Sequence, residues 1–146
     1  MKSTKPFDDA RPSTQAWWRC PGVLYFLGVG NPTVAVKIGM IAVTPRNDLR
    51  SAMVRRLSSI QSGNHELVYV LGVVVREEGP HPTKDTEDHE RSLHQHFRRL
   101  ARFEAETRGA EWFDASVEML DHINSISTPP DELGIPKAVG KPTARK

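Results

Sequence analysis

The sequence predicts a small α/β sandwich: a sheet of about three mainly antiparallel strands flanked by helices, in the order β-β-α-β-α-(β)-α. Three observations lead there. The chain has 146 residues, 38% hydrophobic and 26% charged, the size and balance of one domain with one modest core. Two strand-like runs, residues 22–29 and 34–41, flank the turn-forming stretch Gly28 to Thr33 and read as a hairpin. Downstream, stretches of helical period alternate with a valine-rich run at residues 67–75.

Each element has its own signal. Residues 1–21 form a polar N-terminal arm, and the Trp17-Trp18 pair reads as its anchor on the domain in preference to a stacking surface for bases. A hairpin turn centred on Asn31 sets Tyr25 opposite Lys37 on one face. Pro45 and Asn47 open a helix that Gly63 and Asn64 stop near Ser62. The apolar run 67–75 is a buried strand, and the proline- and glycine-bearing stretch 78–84 is a loop. A long helix is expected over 86–106, with Thr86 as N-cap and Arg108 and Gly109 beyond its end. Glu111, Trp112 and Phe113 form a short extended piece, 115–126 a last amphipathic helix, and 127–146 a basic flexible tail. The domain proper therefore spans 22–126.

Several classes are excluded. The longest apolar run has nine residues, whereas a membrane span needs about 20. No apolar stretch follows Lys2 and Lys5, as a secretory signal would require. A single cysteine, Cys20, rules out a disulfide framework or a multi-cysteine zinc site. A cytoplasmic protein without membrane partners is expected.

The net charge of +2 hides an asymmetry. Of 20 basic residues 13 are arginine, the side chain best shaped to grip phosphate. Residues 46–64 hold four arginines, Arg46, Arg50, Arg55 and Arg56, against Asp48, while residues 77–90 hold six acids against Lys84. Two solvated faces would explain this plainly; a basic patch for a polyanion beside an acidic cluster for a cation is the sharper reading.

Helical geometry singles out two charges. At about 100° per residue, Arg56 falls about 20° from Leu49, inside the stripe made with Met53 and Ile60. Glu90 falls about 60° from Leu93, inside the stripe it shares with Phe97, and His94 lies on the edge. Charges so placed either pair with each other or face a cleft.

These residues carry a resemblance. Val23-Leu24-Tyr25, then Lys37-Ile38-Gly39, the Arg56-Leu57-Ser58-Ser59-Ile60-Gln61-Ser62-Gly63 helix end, Glu90 with His94 and Phe97, and Glu111-Trp112-Phe113 follow in order. The chain from Gly22 to about Ile123 thereby resembles the GIY-YIG endonucleases, most closely the phage and bacterial branch with KIG in place of YIG. Leu24 replaces that family's isoleucine, Lys37 its second tyrosine, and Met40 a position often polar. The resemblance implies phosphodiester hydrolysis in duplex or branched DNA with one Mg²⁺ or Mn²⁺. It implies Tyr25 to place or deprotonate the attacking water, and Lys37 to lower that phenol's pKa. Arg56 would neutralise phosphate charge, Glu90 would bind the metal and His94 would touch phosphate or cap the cleft. Arg46, Arg50 and Arg55 would be backbone contacts without sequence readout, and His89 and His96 read as solvated. Trp112 and Phe113 read as core; Glu111 carries no assigned role. Two other readings compete: a silent nucleic-acid-binding module on the same fold, and an assembly protein with no salt-sensitive binding of DNA.

Overall fold

The computed structural model describes residues 7–104 and 111–140. Its strands are β1 (Gly22–Val29), β2 (Ala35–Ala42), β3 (Val68–Arg76) and β4 (Trp112–Asp114). Its helices are α1 (Pro12–Arg19), α2 (Leu49–Ser62), α3 (Pro82–His96) and α4 (Val117–Ile126). The chain is thus a small α/β domain. The strands form one antiparallel sheet, in the order β3-β1-β2-β4, so the described sheet has four strands rather than about three. The short piece around Trp112 supplies the fourth by pairing with β2.

Strand β1 is buried at every position because both faces of the sheet are covered. Val23, Tyr25 and Leu27 meet Met53 and Leu57 of α2 on one face. Leu24 and Phe26 join Ile38, Leu93, Phe97, Phe113, Met119 and Ile123 on the other, under α3 and α4. A strand buried on both sides reads as an unbroken apolar run, which is what residues 22–29 show.

The hairpin register differs from a turn centred on Asn31. Val29 pairs with Ala35, Tyr25 with Gly39 and Leu27 with Lys37, so the pairing centres on Pro32. The connecting loop is pinned from outside, since the Tyr69 hydroxyl bonds the Gly30 carbonyl and the Thr33 hydroxyl, each at 2.5 Å. A shift of two residues preserves the face each side chain takes. Tyr25 and Lys37 therefore share a face, diagonally rather than directly opposed.

Helix boundaries follow local chemistry. Asp48 caps α2 by accepting from the Ser51 amide at 2.7 Å, and Gly63 ends it. Helix α3 begins four residues before Thr86, because Pro82 sits in the first turn, where a missing N–H costs nothing. Thr86 is inside the helix, its hydroxyl donating to the Pro82 carbonyl at 2.9 Å, and does not cap it. The helix stops at His96, and a 3-10 turn, Arg98–Leu100, leads to a bridge between Ala101 and Phe113. The rest of the expected helix to Glu106, with Arg108 and Gly109, lies outside the described residues.

The two ends of the described chain are not loose. In α1, Trp18 is fully buried, against Phe7 and beneath the Lys84 ammonium at 5.6 Å. Beyond α4, Pro130–Leu133 forms a 3-10 turn, Ile135 is buried, and the Lys137 carbonyl accepts from the Val70 amide at 2.7 Å. Residues 127–140 are packed onto the domain, a correction to the expected flexible tail. No described helix is long and apolar enough to cross a membrane.

Candidate functional site

A cleft of about 920 Å³ opens where β1, β2, α2 and α3 converge, and Tyr25, Lys37, Arg55, Arg56, Glu90 and Glu111 line it. Residues far apart in sequence meet here because the sheet's two central strands supply the floor and the helices the walls. Four of the five side chains expected to act in chemistry, Tyr25, Lys37, Arg56 and Glu90, are in this group.

Tyr25 forms the floor. Its ring lies across Gly39, where a Cβ would overlap the phenol, so the glycine of the KIG stretch makes room for the tyrosine. Only 1% of the residue is exposed. The Arg56 Nη1 donates to the hydroxyl at 3.4 Å. Burial pushes the phenol above its ordinary pKa; the Arg56 charge and hydrogen bond oppose this, while Glu90 and Glu111 add to it.

Arg56 differs from its sequence reading. Although it projects from the apolar side of α2, it is exposed, and it lines the cleft. The cost of burying a lone charge does not arise. Arg55, one residue round the helix, lines the same mouth, whereas Arg46 and Arg50 are exposed near the start of α2 and lie outside the lining.

Lys37 is only 8% exposed and pairs with Glu111 at 2.5 Å. The cation touching the phenol is Arg56, while the Lys37 ammonium is taken by Glu111. Glu111 is held in place by its own backbone, its carbonyl accepting from the Ile38 amide at 3.0 Å just before β4 begins. Partial burial would raise the Glu111 pKa, but the Lys37 hydrogen bond and charge outweigh it and hold the carboxyl below its usual range.

Glu90 reaches the cleft from α3, one turn before Leu93 and two turns before Phe97, which enter the opposite core cluster, and is buried. His94 stands apart from the lining. Its Nε2 lies 2.9 Å from the Ile38 carbonyl; that oxygen can only accept, which fixes the proton on Nε2. The ring packs edge-on to Phe113 with centroids 5.3 Å apart, and a charge on His94 is the smallest of the influences that lower Glu111. His89 is partly buried rather than solvated, and burial, then Arg76 and His122, push its pKa down.

Among the described residues no group of three or more His, Cys, Asp or Glu side chains gathers to hold a metal. Glu90 and Glu111 nevertheless place two hard carboxylates on one cleft. That donor set fits a Mg²⁺ or Mn²⁺ ion taking one protein oxygen and several waters. Two lining residues escaped the sequence reading. Glu111 had no role until the pairing of β4 with β2 set it beside Lys37. For Trp17 the sequence favours an anchor over a stacking surface, yet only Trp18 is the anchor, and half-buried Trp17 faces the cleft.

Comparison with protein-family models, with curated proteins and with solved structures finds no match to this chain.

Proposed function

We propose that this chain is a metal-dependent endonuclease with a GIY-YIG-like site, hydrolysing phosphodiester bonds in DNA. One observation carries the reading: the Arg56 guanidinium touches the Tyr25 hydroxyl at the floor of a cleft that Glu90 also lines. Phosphodiester hydrolysis needs a positive group for the phosphate, a polar atom to place water and a carboxylate for a hard cation. The cleft offers each.

Arg56 binds a non-bridging phosphate oxygen and stabilises the charge that grows there as the phosphorus becomes five-coordinate. The Tyr25 hydroxyl, held by Arg56, orients a water in line with the leaving oxygen. The water oxygen bonds to phosphorus and releases a proton to solvent, the bond from phosphorus to the leaving sugar oxygen breaks, and that oxygen takes up a proton from solvent. With its pKa raised, Tyr25 is a neutral phenol in the resting protein and serves first to position water. Glu90 would hold the divalent ion, which when bound supplies charge stabilisation and a more acidic water. Lys37, neutralised by Glu111, keeps that carboxylate ionised at the rim.

The silent binding module has two observations in its favour. The phenol is pushed up rather than down and the nearby lysine is already paired, so neither group is activated in the resting state. Nicking of supercoiled plasmid with Mg²⁺, Mn²⁺ or EDTA separates the readings. Metal-dependent nicking is expected, abolished in Glu90→Ala and reduced roughly 100- to 1,000-fold in Arg56→Ala. Nicking that survives Glu90→Ala assigns the chemistry elsewhere. No cleavage with any metal, but retained DNA binding, establishes the silent module.

A further inference from the structure

The resemblance begins at Gly22 and leaves Trp17 without a role, yet the fold brings this residue to the cleft. Helix α1 is fixed by its neighbour. Trp18 is completely buried, with Phe7 at 5.8 Å between ring centroids and the Lys84 ammonium over its face. Successive helical residues point about 100° apart, so clamping Trp18 into the domain turns Trp17 sideways, onto the cleft wall. There it is half-buried and shares the lining with Arg55 and Arg56 of α2.

A large aromatic surface in a cleft with two guanidinium groups suits a particular ligand. Phosphates satisfy the arginines; a tryptophan face is satisfied by another flat π-system. In a duplex the bases are stacked on each other and offer side chains their edges but not their faces. In a single strand, flap or branch point a base is free to turn outward. A cleft of about 920 Å³ is at the upper end of small-ligand cavities and takes a short stretch of one strand more readily than a whole duplex.

We infer that Trp17 is a stacking platform for an unpaired base, with Arg55 and Arg56 gripping the adjoining phosphates, so that the cleft selects single-stranded or branched nucleic acid over continuous duplex. The inference rests on the nucleic-acid reading above and adds the class of substrate to it.

Binding is measured in EDTA, so that cleavage plays no part, using a labelled single-stranded oligodeoxynucleotide, its blunt duplex and the RNA strand of the same sequence. The wild type is expected to prefer the single strand. Trp17→Ala should weaken that binding roughly 5- to 150-fold with little change for the duplex, and Trp17→Phe should retain most of it. Loss on both DNA and RNA strands identifies the base as the common ligand, and loss on one alone adds a contact to its sugar. Equal weakening for strand and duplex, or no weakening, overturns the stacking role while leaving the nucleic-acid reading in place. Failure of the wild type to bind any of the three overturns both. Should Trp17→Ala not fold, intrinsic emission decides. Quenching by the single strand in the wild type, diminished in Trp17→Phe, supports the platform, and identical quenching in the two proteins overturns it.

Discussion

At the scale of single residues, the cleft is a balance of three cations, Lys37, Arg55 and Arg56, and three acidic or potentially acidic groups. Arg56 takes the phenol and Lys37 takes Glu111, so these two cations already have a partner in the resting protein. The Lys37–Glu111 pair makes a pH-dependent contribution with a definite sign. Glu111 has its folded pKa lowered, so its stabilisation is present above the unfolded carboxylate pKa and is lost as pH falls through the folded value. Thermal unfolding of Glu111→Gln should therefore show a deficit of about 1 kcal/mol near neutral pH, kept modest because Glu111 is 40% exposed. That deficit should fade in acid below the usual carboxylate range. A difference independent of pH would mean that the pair contributes by shape and not by charge. Much of this cleft was legible in the sequence, because Arg56 and Glu90 are charges on apolar helix sides. Glu111 was not, since its position depends on a strand pairing that three residues between a helix and a loop do not announce.

At the scale of elements, the central hairpin sets the geometry of the site. Gly39 faces Tyr25 across the two middle strands, and the phenol occupies the space a side chain would need. Gly39→Ala should destabilise the domain by about 1–3 kcal/mol in denaturant unfolding, the cost of forcing an extra carbon into a packed site. Displacement of the phenol from Arg56 should accompany it. A neutral result would mean that the ring rotates away freely and that the floor of the cleft is soft. The hairpin was plain in the sequence from two apolar runs around turn residues, but its register was not, because Tyr69 of β3 pins the loop from a distance. Helix α3 misled at both ends for local reasons. Its first-turn proline looks like loop, and no glycine or proline marks the break after His96, where the Ala101–Phe113 bridge draws the chain off the helix axis.

For the whole molecule, the least expected feature is the segment after α4. Its composition, basic and rich in proline and glycine, matches a solvated tail, yet Ile135 is 3% exposed within the cluster that includes Tyr25 and Leu57. Composition averages over a stretch, whereas packing depends on the one apolar side chain that finds a pocket. Ile135→Ala should cost about 2–5 kcal/mol in equilibrium unfolding, as for other buried aliphatic truncations. A change within about 0.5 kcal/mol would return the segment to the status of a tail. The same segment has a second effect through its main chain. Strand β3 is at the border of the sheet, and Val70 and Val73 bond on their outer side to the carbonyls of Lys137 and Thr128. A border strand so rich in valine would otherwise present open amides and carbonyls to any other extended chain. By occupying those groups, the last described stretch covers the middle of the ladder from within, and another molecule finds fewer rungs on which to add itself.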